Sequence, residues 1–479
     1  MPGAGIIGPH PCERNHVVNL IDPTSAAFLL AERRTQPMHV GALQLFEKPE
    51  GAGRHYATEL YETMSHADDI APLFLKHPHR SLRTAGQLVW VPDEHFDILH
   101  HVRHSALPKP GRIRELFDLC SRLHGQRLGW ERPLWESHVI EGLRDGRVAM
   151  YTKTHHSLVD GVSAMRLLQS VLTTDPDRRD LPPPWSVRPP EREREPRQVE
   201  WTEAPAAALH SAALIAAEAA GLPKALISTL NRSLRNDTSA LSLFAPRTIF
   251  NQSITGSRRF AAQDWPVERL RAVGKATGTT INDVVMAMCS GALRSYLLDL
   301  DALPDTTLVS MVPVGLNAKQ ADVASAEGGN AVGAVMVQLG THLADPADRL
   351  RAVHTSMKTG KSALAAMSPT QILAMSALGM APSLLPMLGV NMPHPPFNVI
   401  ISNVPGPRTT HYFNGARMTG TYPLSIPING MALNITCASY DGKMCFGLTG
   451  CRRTLPSLQR MLTHLDDELA ALEKAAGVS

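Results

Sequence analysis

Apolar and polar positions alternate along 39–46, HVGALQLF, and this period of two predicts a β-strand. Stretches 26–34 and 56–66 read as short helices instead. In 147–172, RVAMYTKTHHSLVDGVSAMRLLQSVL, the part over 148–154 reads as a strand, whereas Val162, Met165, Leu168 and Leu172 recur at helical spacing. A strand-to-helix turn is therefore expected at His155, His156, Asp160 and Gly161. The second half carries further strand signals at 307–314, 331–339, 397–403, 432–440 and 443–448. Asp441 and Gly442 separate the last two, and this dipeptide favours the positive φ values of a tight hairpin.

One composition break divides the pattern. Over 176–203, prolines stand beside alternating Glu and Arg, a mixture that favours solvated chain over helix or sheet and predicts a linker or, as the alternative, a solvated surface loop within one domain. Domains are accordingly expected at 1–175 and 204–479, and strands mixed with helices on both sides predict an α/β fold. Beyond the break, the alanine-rich run EAPAAALHSAALIAAEAAGLPKALISTL predicts a helix ended by Gly221 and Pro223. Residues 362–407 contain no Asp, Glu, Lys or Arg and are punctuated by methionines. Prolines break this stretch too often for a spanning helix, which needs roughly 18 or more continuous apolar residues. It reads either as a core helix followed by a loop or as an adaptable surface for acyl chains or a membrane face.

Charge and cysteine content narrow the function. With 47 Lys plus Arg against 44 Asp plus Glu the net charge is +3, which leaves little for a basic nucleic-acid face, so no nucleic-acid partner is expected. The 6 cysteines form no CxxC pair, arguing against a disulfide framework or structural zinc. The opening residues show no continuous apolar core of a secretory signal, so a cytoplasmic location is expected.

The chemistry concentrates at the predicted turn. Adjacent residues at a strand end point to opposite sides, so one of His155 and His156 can face a cleft while the other is held by the fold. An imidazole titrating near neutrality can take a proton from a hydroxyl or thiol attacking a carbonyl. Asp160, at the start of the helix, can accept backbone N–H bonds or a cationic partner and stiffen the turn. A metal reading of the two histidines and the carboxylate lacks the HExxH spacing, and no metal site is expected. No GxSxG elbow is present, the Gly360-Lys361-Ser362 triplet lacks the first glycine of a phosphate loop, and no GxGxxG opens a helix after a strand.

As a set the motifs resemble the bacterial wax ester synthase/acyl-CoA:diacylglycerol acyltransferases. The resemblance rests on HHSLVDG at 155–161, RPLWE at 132–136, IND at 281–283, GGN at 328–330, ISNVPGP at 401–407 and SYDGKMCFGL from Ser439. The opening DPTSAAFLLAERRTQPMHVGALQLF from Asp22 is also similar to the family's start. The resemblance implies two chloramphenicol-acetyltransferase-like domains with an active-site tunnel at their interface. It implies an O-acyltransferase that esterifies diacylglycerol, a long-chain fatty alcohol or both, using long-chain acyl-CoA as a substrate and no cofactor. By the same resemblance His156 is the general base, and His155, Asp160 and Gly161 shape its loop. Pro133, Leu134 and Trp135 match a motif assigned to the acceptor pocket, with a core role for Trp135 as the alternative. Asn282 and Asp283 match a motif near the site, although Asn282 taken alone reads as the cap of the helix that follows.

One departure bears on the loop. Where the family often places an arginine thought to pair with the motif aspartate, this chain reads Pro313-Val314-Gly315-Leu316-Asn317, so Asp160 is expected to find other donors. Two other readings stand beside the leading one: the same fold acylating another lipid alcohol, and a catalytically weak lipid-binding or lipid-droplet protein. Peripheral contact with the inner membrane face or a lipid droplet is compatible with each.

Overall fold

The alternation at 39–46 becomes strand His39–Glu47, and the buried run before the two histidines becomes strand Val148–His155. The computed structural model describes residues 18–80, 86–188, 198–199, 245–315, 332–365 and 395–478. Two six-stranded sheets and one of four strands organise these described residues. The first sheet runs Tyr412–Phe413, Ala416–Leu424, His39–Glu47, Val148–His155, Trp135–Glu141, Val102–Ala106. All its pairings are antiparallel except that of the last two strands. Strand Val148–His155 is buried at every position, as suits a central strand covered on both faces. Even Lys153 is enclosed: its Nζ donates to the carbonyls of Leu123 (3.0 Å) and Gln126 (2.9 Å) at the end of helix Ile113–His124 and lies 3.2 Å from Glu136 Oε2. The ammonium thereby meets the negative end of that helix, where a cation is favoured.

The second sheet runs Val332–Gln338, Val309–Gly315, Val399–Val404, Leu433–Tyr440, Lys443–Cys451, Arg258–Pro266. Its middle pairings are parallel, and the expected hairpin at 441–442 is present with φ of 45° at Asp441 and 74° at Gly442. Helix Ile281–Leu298 is buried over most of its surface and packs with helices Pro346–Ala365 and Arg460–Ala476. Gly291 on it makes room for Glu468, whose carboxylate receives Arg349 Nη2 at 2.7 Å on both oxygens.

Strand Ala416–Leu424, which the sequence analysis did not single out, leaves the second half of the chain and pairs with His39–Glu47 in the first sheet. The linker expected over 176–203 is also partly built in. Trp185 is buried within the short helical turn Pro184–Ser186 and stacks on Trp135 with centroids 5.1 Å apart, while Gln198–Val199 pairs with Val18–Leu20. Prolines and charges disfavour regular structure there, but one large aromatic supplies enough apolar surface to pin the chain. The alanine-rich stretch, the GGN motif and most of 362–407 lie outside the described residues.

The two large sheets meet through shared apolar clusters. Met38 and Val40 pack with Val309, Met311 and Met336, while Ala42, Met165 and Leu168 pack with Val404 and Ala438. Strand His39–Glu47 and helix Gly161–Ser170 thus carry the seam, and the histidine motif lies between them.

Candidate active site

Chain alternation places the two histidine amides on opposite neighbours. His155 N donates to Leu134 O at 2.9 Å and His156 N donates to Met38 O at 2.9 Å, so the last strand residues are held from both sides. The turn closes with Leu158 N on His155 O at 2.9 Å. Asp160 then caps helix Gly161–Ser170: Oδ1 accepts Ser163 N at 2.8 Å and Oδ2 accepts the Ser163 hydroxyl at 2.9 Å. These donors from within the helix are the other donors expected for Asp160; Asn317 itself lies outside the described residues.

The rings differ as strand geometry requires. His155 is fully buried, and burial, with His156 and Arg127 nearby, lowers its pKa to about 3, so the ring is neutral. Its Nδ1 accepts from Ser157 N at 3.1 Å and lies 2.7 Å from Ser157 Oγ, which leaves the proton on Nε2, 3.7 Å from Glu32 Oε1. His156 is partly exposed and stacks on Phe28, centroids 4.2 Å apart and planes 18° from parallel. Its Nδ1 is buried without a hydrogen-bond partner among the described residues. Burial holds the pKa of His156 below the ordinary histidine value of 6.5, although the Asp160 carboxylate pulls the other way. The expectation of titration near neutrality is corrected downward, because burial disfavours the charged ring.

The remaining motif residues serve the frame. Trp135 sits in a ring of aromatics with His101, Phe74 and Trp185, and its Nε1 donates to Phe74 O at 3.0 Å. Of the two roles expected of it, the structure shows the core one. Pro133 and Leu134 are buried, and Leu134 packs in the apolar cluster that also receives Leu158 of the histidine loop. The motif RPLWE thus supports the loop from beneath, by packing and by the Leu134 carbonyl.

Asn282 does not cap its helix. Thr280 does, in a reciprocal box with Asp283, because the threonine hydroxyl reaches the third helical amide while Asp283 reaches back to Thr280 N at 2.9 Å. Asn282 Oδ1 instead accepts from Asn403 Nδ2 at 3.3 Å, and Asp283 Oδ2 also pairs with His354 Nδ1 at 2.9 Å. These bonds join the IND and ISNVPGP motifs within the second half.

With this geometry in place, comparison with known proteins is decisive. The wax ester synthase/diacylglycerol acyltransferase catalytic-domain family model matches residues 21–285, and the WS/DGAT C-terminal-domain family model matches residues 328–473. The chain belongs to the wax ester synthase/diacylglycerol acyltransferase family. A Mycobacterium tuberculosis relative whose name carries a diacylglycerol O-acyltransferase assignment is 48% identical over 96% of this chain and 100% of its own length. The solved wax ester synthase/diacylglycerol acyltransferase from Marinobacter aquaeolei is 43% identical, covering 96% of this chain and 100% of that one, with a TM-score of 0.77. The first condensation domain of the CDA synthetase, 16% identical with 97% of each chain covered and a TM-score of 0.57, shares the fold. The mixed α/β architecture is that of the Marinobacter enzyme.

Phe28, Glu32 and Ser157 lie against the two histidines, and none is singled out by the sequence. Phe28 and Glu32 lie more than a hundred residues upstream, so no local spacing connects them to the motif. Gly161 has a further property: a Cβ built there would meet no atom within 4 Å, so packing alone does not require glycine.

Proposed function

We propose that the chain transfers the acyl group of a long-chain acyl-CoA to the hydroxyl of diacylglycerol, of a long-chain fatty alcohol, or of both, with His156 as general base. The observation that carries this reading is the neutral, partly exposed imidazole of His156, stacked on Phe28 and held through its N–H by Met38 at the seam of the two sheets. The family membership and the names of the relatives supply the substrate classes.

In the proposed reaction His156 takes the proton of the acceptor hydroxyl as its oxygen attacks the thioester carbonyl. The tetrahedral intermediate collapses, the carbon–sulfur bond breaks, and the imidazolium returns the proton to the CoA thiolate. Ester and free CoA are formed, without a covalent acyl-enzyme and with no cofactor beyond the two substrates. Both acceptor classes partition into lipid, which supports peripheral contact with a membrane or lipid-droplet surface; among the described residues no helix is long and apolar enough to cross a bilayer.

The experiment is CoA release from palmitoyl-CoA by purified protein with diacylglycerol, hexadecanol or no acceptor, read together with the lipid product. Acceptor-dependent release that vanishes in His156→Ala supports the reading and names the acceptor. Release unchanged in that variant would sink the mechanism, and turnover on a different lipid alcohol alone would replace the acceptor.

A further inference from the structure

We propose that Glu32 is the positioning residue for both motif histidines, holding the ring of His155 with its carboxylate and the backbone of His156 through Met38. The catalytic consequence of this proposal rests on the acyl-transfer reading above.

Glu32 ends helix Pro23–Ala31. Its N–H is bonded to Phe28 O at 3.1 Å and Leu29 O at 3.2 Å, and its extended ψ of 132° turns the chain away from the helix. The side chain has no solvent exposure, and an ionised carboxylate enclosed in this way must be paired and hydrogen-bonded. It is supplied from two segments of the chain. Oε1 accepts Met38 N at 3.2 Å, while Oε2 accepts Arg127 Nε at 3.2 Å and Trp130 Nε1 at 3.1 Å.

Two of its relations reach the histidines. The first is direct. Ser157 N donates to His155 Nδ1, so the single proton of the neutral ring is on Nε2, and Nε2 has no hydrogen-bond partner among the described residues. It faces Glu32 Oε1 at 3.7 Å. That distance exceeds a direct hydrogen bond, so the contact is one of charge with an N–H dipole, which depends on the carboxylate being ionised.

The second relation runs through Met38, a fully buried residue. Its N–H is given to Glu32 and its carbonyl accepts His156 N at 2.9 Å, so both backbone groups of Met38 are committed between the carboxylate and the base. The helix that Glu32 terminates also carries Phe28, the stacking partner of His156. Glu32 therefore holds the ring of one histidine, the backbone of the other and the end of the helix that covers it. A carboxylate serving only to anchor this helix to Arg127 and Trp130 would leave the histidines indifferent to its charge.

The test is Glu32→Gln, which keeps size and one acceptor oxygen but removes the charge. Turnover of palmitoyl-CoA with the preferred acceptor is expected to fall about 100-fold in kcat, the scale of a base displaced by about 1 Å, with KM for palmitoyl-CoA little changed. In protein labelled with 15N-histidine, the His155 Nε2–H resonance, identified by its loss in His155→Gln, is expected to move or to vanish by exchange. A variant that loses thermal stability but keeps wild-type kcat and an unmoved resonance overturns the proposal. If wild-type protein turns over no acyl-CoA, the acyl-transfer reading fails separately, and the resonance then decides whether Glu32 positions His155. If Glu32→Gln does not fold, Glu32→Asp withdraws the charge by one methylene from all its donors. The same loss of kcat and shift of resonance supports the proposal there, and wild-type behaviour overturns it.

Discussion

Phe28 lies flat on His156, 4.2 Å between centroids, although they stand 128 positions apart in the chain. A parallel aromatic contact contributes about 0.5–1.5 kcal/mol beyond the area it buries, so Phe28→Leu is expected to lower kcat by up to about tenfold. Thermal stability should fall only modestly, by no more than the stack contributes, because Phe28 is only partly buried. Steady-state kinetics of the purified variant check this, and unchanged kcat would remove Phe28 from the site.

The pH profile follows from the surroundings of His156. The ring acts as a base only when unprotonated, and burial lowers its pKa below 6.5. Activity should therefore be level around pH 7 and decline only on acidification below the ordinary histidine range. Asp160→Asn removes the charge that opposes the lowering while keeping a good helix cap, so the acid limb of kcat/KM should move to still lower pH. Movement of that limb to higher pH would contradict the assignment.

Glu468 and Arg349 form a bidentate pair buried among the helices of the second half, and burial raises the Glu468 pKa even against Arg349. Removing one partner strands the other charge, so Glu468→Ala is expected to cost about 3–5 kcal/mol. Gly291→Ala should also destabilise, because its Cβ would fall within 2.0 Å of Glu468 Cδ. Urea unfolding of both variants provides the measurement; stabilities equal to wild type would show that the helices repack around the change.

Gly161 offers the opposite case. It lies at the first position of a helix with open space around its missing Cβ, so Gly161→Ala should keep or raise stability by about 0.4–1 kcal/mol. If the open space beside the histidine loop belongs to the reacting substrates, the added methyl lowers turnover in a fully folded protein. Full activity in that variant would show that the substrates do not use the space beside Gly161.

Much of the local structure was legible because it depends on neighbours in the chain. The strand at His39–Glu47, the turn between Val148–His155 and Gly161–Ser170, and the 441–442 hairpin follow from period and turn chemistry. The cap at Asn282 was misplaced by two residues, since Thr280 and Asp283 satisfy each other in a way that one polar residue read singly does not reveal. Trp185 reads locally as linker because the prolines around it dominate the pattern, while its partner Trp135 is fifty residues away.

By itself, the amino-acid sequence determined the order of these elements, the positions of the two histidines and, through several motifs in order, the family. Only the tertiary structure decided which residues meet them: Phe28 on one ring, Glu32 beside the other, Ser163 in place of a distant cation at Asp160, and Ala416–Leu424 returning to the first sheet. The division has a physical basis. Periodicity and capping are set by bonds a few residues apart, whereas ring contacts, buried charges and sheet order arise when distant segments exclude water together, and that choice of partners leaves no local trace.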